Sequence, residues 1–260
     1  MSRGAGISSQ NTQGRMMALN RKGVISFLAA FFTIAAFAYL FLNLRQDILE
    51  TRAEFMRSLS EIRTGFEQAK NQIQEARLYG RIEAIWFEKG SRYIEPSTLR
   101  ALTWITYCYH LRYGTEGEIP IGLDYWRIFA WVEIESGFNP KAKSKAGAYG
   151  LTQIMPVTAI GALERHFGIS GLDKKKVQTY LDDPVINFKL GLEILIEYQL
   201  GFMAAGVASP SDFKLAFSLY AWSAEAVRQL IEAKSKDVPK ASLQYALDIE
   251  RRAMKYKGTP

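Results

Sequence analysis

"WVEIESGFNPKAKSKAGAYGLTQIMPVTA" occupies residues 131–159. It leaves an apolar segment, turns at Ser136-Gly137-Phe138-Asn139-Pro140, and runs through small residues to a single glutamine, Gln153. Two acids, Glu133 and Glu135, fall within its first five residues. The segment that feeds it, "YWRIFAWVEIES", is apolar nearly all round, and a helix of that kind is central and buried. Asp124, just before it, is a suitable N-cap.

Ionising a carboxylate away from water is costly, so burial raises its pKa. Glu135 stands at the end of the helix, where it can face a cleft. Ile128, Trp131 and Val132 precede it by seven, four and three residues and so share its face as an apolar wall. Glu133, two residues earlier, lies about 200° round the helix and cannot share that cleft. Taken alone, either acid reads as a surface or ion-paired carboxylate. The residues that follow decide between the readings.

"ESGFNPKAKSKAGAYGLTQIMPVTA" closely resembles the signature of the soluble lytic transglycosylase family. Glu135-Ser136, the aromatic Phe138, Asn139-Pro140, Ser144, then Gly150-Leu151 with Gln153-Ile154-Met155-Pro156 and Thr158-Ala159 fall in the family's order. The resemblance covers roughly residues 95–260. It implies a mainly α, goose-type-lysozyme-like domain with Glu135 as the catalytic acid. It also implies that Ser144, Gln153 and Met155 orient glycan sugars in the cleft. Further on, "DDPVINFKLGLEIL" is similar to a second family stretch through Pro184, Asn187 and Gly191. "SLQYALDIERRAMKY" resembles the final helix through Tyr245 and Ile249. "LAFSLYAW" retains Tyr220 but carries Ala221 and Trp222 where the family has Asn and Ala. Tyr220 and Tyr245 are implied to hydrogen-bond the acid or the acetamido groups; packing tyrosines are the alternative.

Around this stretch, Pro96 or Ser97 opens a helix that Gly114 closes. Later helices are expected at Val157–Phe167, Pro184–Leu200, Ser211–Trp222, Ala224–Ala233 and Ser242–Tyr256. Nothing after residue 44 shows strand alternation, so the fold class is mainly α.

Upstream, "GVISFLAAFFTIAAFAYLFLNL", residues 23–44, holds no charge. About 20 apolar residues suffice to cross a bilayer core of ~30 Å. A cleaved signal peptide would have a shorter core, of roughly 7–15 residues. Arg3, Arg15, Arg21 and Lys22 precede the span with no acid, which keeps the N-terminus in the cytoplasm. Residues 1–22 read as a disordered tail. Beyond the span, Phe55, Leu59, Ile62, Phe66, Ala69, Ile73 and Ala76 alternate spacings of four and three, a heptad seam. Residues 45–94 are therefore a helical stalk, either a coiled coil that makes a parallel homodimer or one amphipathic helix packed on the next domain.

The formal charge of +7 divides into +4 in the tail and +3 elsewhere, 29 basic against 26 acidic residues. That is too diffuse for nucleic acid, which needs a concentrated basic stripe. The single Cys108 excludes an intramolecular disulfide. His110 and His166 lack a ligand pattern, so no metal or other cofactor is expected.

Ordinary glycosidases use two carboxylates, and raised-pKa carboxylic acids are their general acids. Asp173, Asp182, Asp183, Glu193 and Glu197 match no catalytic position of the family. The resemblance instead implies a single acid, Glu135, acting on peptidoglycan glycan strands from the outer face of a bacterial inner membrane, with residues 95–260 as the catalytic domain. The altered residues 221–222 leave a non-catalytic peptidoglycan-binding scaffold as the alternative, and a water-using muramidase as a third reading.

Overall fold

A computed structural model describes residues 21–209, 213–220, 224–235 and 237–258. They form helices throughout, with only isolated β-bridges and no strand among the described residues, so the mainly α expectation holds. Residues 1–20 of the expected tail and the altered positions Ala221 and Trp222 lie outside the described residues, while Arg21 and Lys22, the last two residues of that tail, are helical. The chain divides after Asn71 into two units.

The first unit is the greater part of α1 (Arg21–Gly90). By length and composition α1 can cross a membrane, and none of its most apolar window is buried. The seam residues Phe55, Leu59, Ile62 and Phe66 are also exposed.

The second unit contains the end of α1 and eight further described helices: α2 (Pro96–Tyr113), α3 (Tyr125–Ser136), α4 (Pro156–Phe167), α5 (Lys174–Asp182), α6 (Pro184–Ala204), α7 (Lys214–Leu219), α8 (Ala224–Glu232) and α9 (Lys240–Lys257). Ile82, Ile85 and Trp86, read from the sequence as stalk, are buried in this unit's core. Trp86 meets Phe129, Phe138 and Phe188 edge-on at ring separations of 5.3, 5.6 and 5.3 Å. Its indole N–H donates to Thr106 Oγ1 at 2.9 Å, giving the buried polar tip a partner.

α3 is the central helix, with Ile128, Phe129, Ala130, Trp131 and Val132 fully buried. It packs chiefly on α9. Asp124 sits at its N-cap position, but the side chain does not cap. Thr115 donates to it from both N (2.9 Å) and Oγ1 (2.6 Å), and Arg127 Nη1 donates at 3.2 Å. These donors hold the carboxylate against the loop that precedes α3, away from the helix's own N–H groups.

α5 was not expected. Its first turn holds three lysines, which oppose the helix dipole, and its apolar face is only Val177 and Leu181. The cap outweighs this: Asp173 Oδ1 accepts from Lys175 N (3.0 Å) and Lys176 N (2.7 Å). Asp183 caps α6 in the same way, accepting from Val185 N and Ile186 N. α6 then passes close to α3, and Gly191 makes that possible. A Cβ there would lie 2.6 Å from Thr152 Oγ1 and 2.8 Å from the Trp131 ring.

Candidate active site

α3 ends on Gly137, which is left-handed (φ 58°), and Phe138 follows it into the same region (φ 64°). A bulky residue pays for such a backbone. Phe138 is 2% exposed against Trp86 and Phe129, and that packing holds it there. The abrupt turn leaves Glu135 in the last turn of the helix, half-buried, with fully buried Trp131 and Val132 one turn behind it.

Tyr245 of α9 donates its phenol O–H to Glu135 Oε1. Tyr220 lies edge-on to Trp131 with ring centroids 4.9 Å apart, only 7% exposed. Its hydroxyl has no hydrogen-bond partner among the described residues. The charge of Glu135 helps to raise the phenols of both Tyr220 and Tyr245, after burial as the main cause, so both keep their protons.

Burial likewise dominates at Glu135 and pushes its carboxyl up to about 7. Tyr245 and the Trp131 indole favour the carboxylate but offset only part of this. The indole N–H acts on the charge from nearby without a well-formed hydrogen bond of its own. No cation pairs with Glu135 among the described residues. A carboxyl so placed exchanges a proton near neutrality, which suits one group acting first as acid and then as base.

Glu133 lies on another face. Tyr256 Oη donates to its Oε2 at 2.8 Å, and Arg252 Nη1 lies 3.0 Å from its Oε1.

Ser144, Gln153 and Met155 belong to the loop between α3 and α4. Ser144 Oγ accepts from Ala148 N at 3.0 Å. Gln153, at φ 49°, donates its amide to the carbonyls of Ala142 (3.1 Å) and Gly150 (2.9 Å). Its N–H groups thus lock the loop, and Oε1 is the atom left to meet a ligand. Met155 is half-buried at the N-cap of α4. No hydrogen bond among the described residues joins these three to Glu135.

Two residues that position this loop were not singled out for that role from the sequence. Asn187 on α6 accepts from Thr152 N (3.0 Å) and donates to Tyr149 O (2.9 Å). Thr152 Oγ1 donates back to Asn187 Oδ1 at 2.9 Å. Gly150, at φ 80°, passes so close that a Cβ would lie 2.2 Å from the Asn187 amide. The only hint in the sequence was Asn187 in the Pro184–Gly191 resemblance.

Residues 122–239 match the profile of the transglycosylase SLT domain family. Membrane-bound lytic murein transglycosylase C of Mannheimia succiniciproducens is 32% identical over 132 residues, 50% of this chain and 34% of that protein. The protein of the same name from Histophilus somni is 35% identical over 95 residues, 36% of this chain and 25% of that one. The chain thus spans between a quarter and about a third of these relatives' length. Among solved structures, the 70 kDa soluble lytic transglycosylase of Escherichia coli aligns at 20% identity and TM-score 0.40, over 71% of this chain and 30% of that one. An inactive mutant of lytic transglycosylase Slt from Pseudomonas aeruginosa aligns at 22% identity and TM-score 0.38, over 61% and 27%.

Proposed function

We infer, from the transglycosylase SLT domain that residues 122–239 carry, that this chain is a peptidoglycan lytic transglycosylase with Glu135 as its one catalytic carboxyl. The carrying observation is a carboxyl at the end of a buried helix that accepts a hydrogen bond from Tyr245, pairs with no cation among the described residues, and is pushed up to about 7 by burial. In its protonated form Glu135 gives its proton to the oxygen between N-acetylmuramic acid and N-acetylglucosamine. The resulting carboxylate accepts the proton of the muramoyl C6 hydroxyl as that oxygen bonds to C1. The bond from C1 to the leaving sugar breaks, a 1,6-anhydromuramoyl end forms, and no water is consumed.

The attacking hydroxyl belongs to the substrate, and an internal nucleophile carries a large effective concentration. That reduces the need for a second carboxylate, which is consistent with Glu133 being tied to Arg252 and Tyr256. Tyr245 steadies Glu135 in its carboxylate stage. Tyr220 packs beside it, and Ser144, Gln153 and Met155 meet the glycan from the facing loop.

Residues 23–44 anchor the chain in a bacterial inner membrane, with the N-terminus cytoplasmic and residues 95–260 in the periplasm. The apolar, unburied character of that part of α1 supports the anchor. Residues 45–71 lead from the anchor to the second unit, and the exposed seam from Phe55 to Phe66 pairs two copies.

The test is digestion of purified glycan strands by the full chain in detergent, with products read by mass spectrometry. Anhydro-muramoyl ends are expected. Reducing muramic ends would replace the reading with a muramidase, and binding without cleavage would replace it with a scaffold. Sedimentation in the same detergent should give a dimer, and a monomer at high concentration rejects the pairing.

A further inference from the structure

At the opposite end of α3 from Glu135 lies a cavity of about 600 Å³. It is bounded within the second unit by Arg77, Leu78 and Arg81 of α1, Tyr125 and Trp126 of α3, and Lys257 of α9. Tyr125 and Glu135 are ten residues apart, about 15 Å along the helix, so this is not the cleft of the catalytic acid. Its volume falls within the ~300–1,000 Å³ of sites that hold small ligands.

The lining has an excess of positive charge. Arg77, Arg81 and Lys257 face Glu116 and Asp124, and Asp124 is already answered by Thr115 and by Arg127, which does not line the cavity. Arg77 has no hydrogen bond or ion pair among the described residues. Arg81, four residues on and so on the same helix face, donates Nη1 to Tyr125 Oη at 3.2 Å. Lys257 Nζ lies 5.1 Å from the centre of the Trp126 ring.

Tyr125 and Trp126 meet edge-to-face at 5.0 Å, and His110 packs on both at 5.3 and 5.8 Å. Trp126, half-buried and held by Tyr125 and His110, is therefore the aromatic surface of the cavity, and Arg77, Arg81 and Lys257 are exposed at it. A guanidinium fork matches a carboxylate in two parallel hydrogen bonds. An aromatic floor suits the apolar face of a ring.

We propose that this cavity is a second, non-catalytic site for the polymer, taking a carboxylate-bearing sugar–peptide unit of peptidoglycan with the carboxylate on Arg77 and Arg81 and a sugar ring over Trp126. The identity of the ligand rests on the transglycosylase reading above. Occupancy here tethers a strand while Glu135 acts about 15 Å away.

The test uses the full chain in detergent carrying Glu135→Gln, titrated calorimetrically with three probes. These are the N-acetylglucosaminyl-N-acetylmuramoyl tetrapeptide, neutral chitotriose, and inorganic phosphate. Arg77→Gln is the first variant, because Arg77 makes no hydrogen bond or ion pair among the described residues; Arg77→Gln with Arg81→Gln is the second. The tetrapeptide should bind at least fivefold more weakly to Arg77→Gln and more weakly still to the double variant, with chitotriose binding unchanged.

Tetrapeptide affinity within twofold of the parent in both variants overturns the proposal. So does phosphate binding as tightly as the tetrapeptide, which would mark an unspecific anion site. Anhydro-ended products from the unmodified chain, together with insensitivity to Arg77→Gln, remove the cavity and leave the catalytic reading. Sensitivity to Arg77→Gln in a chain that cuts nothing supports the cavity and removes the catalytic reading.

Discussion

Glu133 and Glu135 leave α3 two residues apart, and each accepts a hydrogen bond from a tyrosine of α9. Their surroundings diverge from there. Glu133 has Arg252 at 3.0 Å and opens onto a polar cavity of about 400 Å³ with Asp248, Arg251 and Lys255. Glu135 has a wall of buried indole and phenol and no cation among the described residues. The first is tied to a guanidinium and a phenol. The second meets a desolvation cost that nothing fully repays, and its proton is held to about pH 7. Neighbours, rather than residue type or spacing, set two similar acids apart.

The comparison breaks most readily at the acids themselves. Glu135→Gln should lower the rate of glycan cleavage by about 10²–10⁴-fold, the range general acids supply, while Glu133→Gln should stay within about threefold, the scale of a partly exposed ion pair. Equal losses from both, measured on the same strands, would end the distinction. Tyr245→Phe comes next. Loss of a hydrogen bond to a charged group is worth about 1.5–3 kcal/mol, or roughly 10–100-fold in rate. Tyr256→Phe should leave the rate unchanged.

The pH profile sharpens the contrast further. The proton-donating form of Glu135 is lost above its pKa, so kcat/KM should fall about tenfold per pH unit above roughly 7. Tyr245 favours the carboxylate, so Tyr245→Phe should move that limb to higher pH, and Tyr256→Phe should not move it. An unmoved limb in Tyr245→Phe assigns the titration to another group.

The smallest effect is on stability. The folded-state pKa of Glu135 is raised above the unfolded value near 4.5, so between about 4.5 and 7 the folded state binds the extra proton. Stability from this group is therefore full at low pH and declines as pH rises through that window. Glu135→Gln removes the decline. Its gain over the unmodified chain should be near zero at pH 4.5 and about 3 kcal/mol at pH 8 by denaturant unfolding. Glu133→Gln should show no such gain.

Much of the fold was readable where proline and glycine punctuate it. α2 runs from Pro96 to Tyr113 and stops before Gly114, as read; α4, α6 and α9 begin within two residues of their expected starts. α5 escaped because its signal is a cap beneath three unfavourable lysines. The helix expected at Ser211–Trp222 is described only as Lys214–Leu219. At the site, the apolar helix ending in a charge left Glu135 open to a surface or ion-paired reading, and the resemblance carried by the residues after it, Ser136 to Ala159, singled it out. Its tyrosine partner was not legible from spacing, since Tyr245 lies 110 residues away and only the final-helix resemblance pointed to it. Asp124 looked like a cap because caps are local, whereas Thr115 and Arg127 reach it through the fold. Trp86 was hidden in a charged, periodic stretch whose heptad pattern suggested an exposed stalk.

Trp86 has a further consequence. The stretch that matches the family profile begins at residue 122 and stops at 239. Trp86 lies before it, and α9, with Tyr245, begins just after it at Lys240. The matched stretch is therefore smaller than the folded unit that holds Glu135. A graft of the recognisable stretch alone would carry the acid but neither the phenol that steadies it nor the indole beneath its helix. In this chain the end of the long helix is part of the second unit's masonry, and a protein engineer should cut ahead of Gln72.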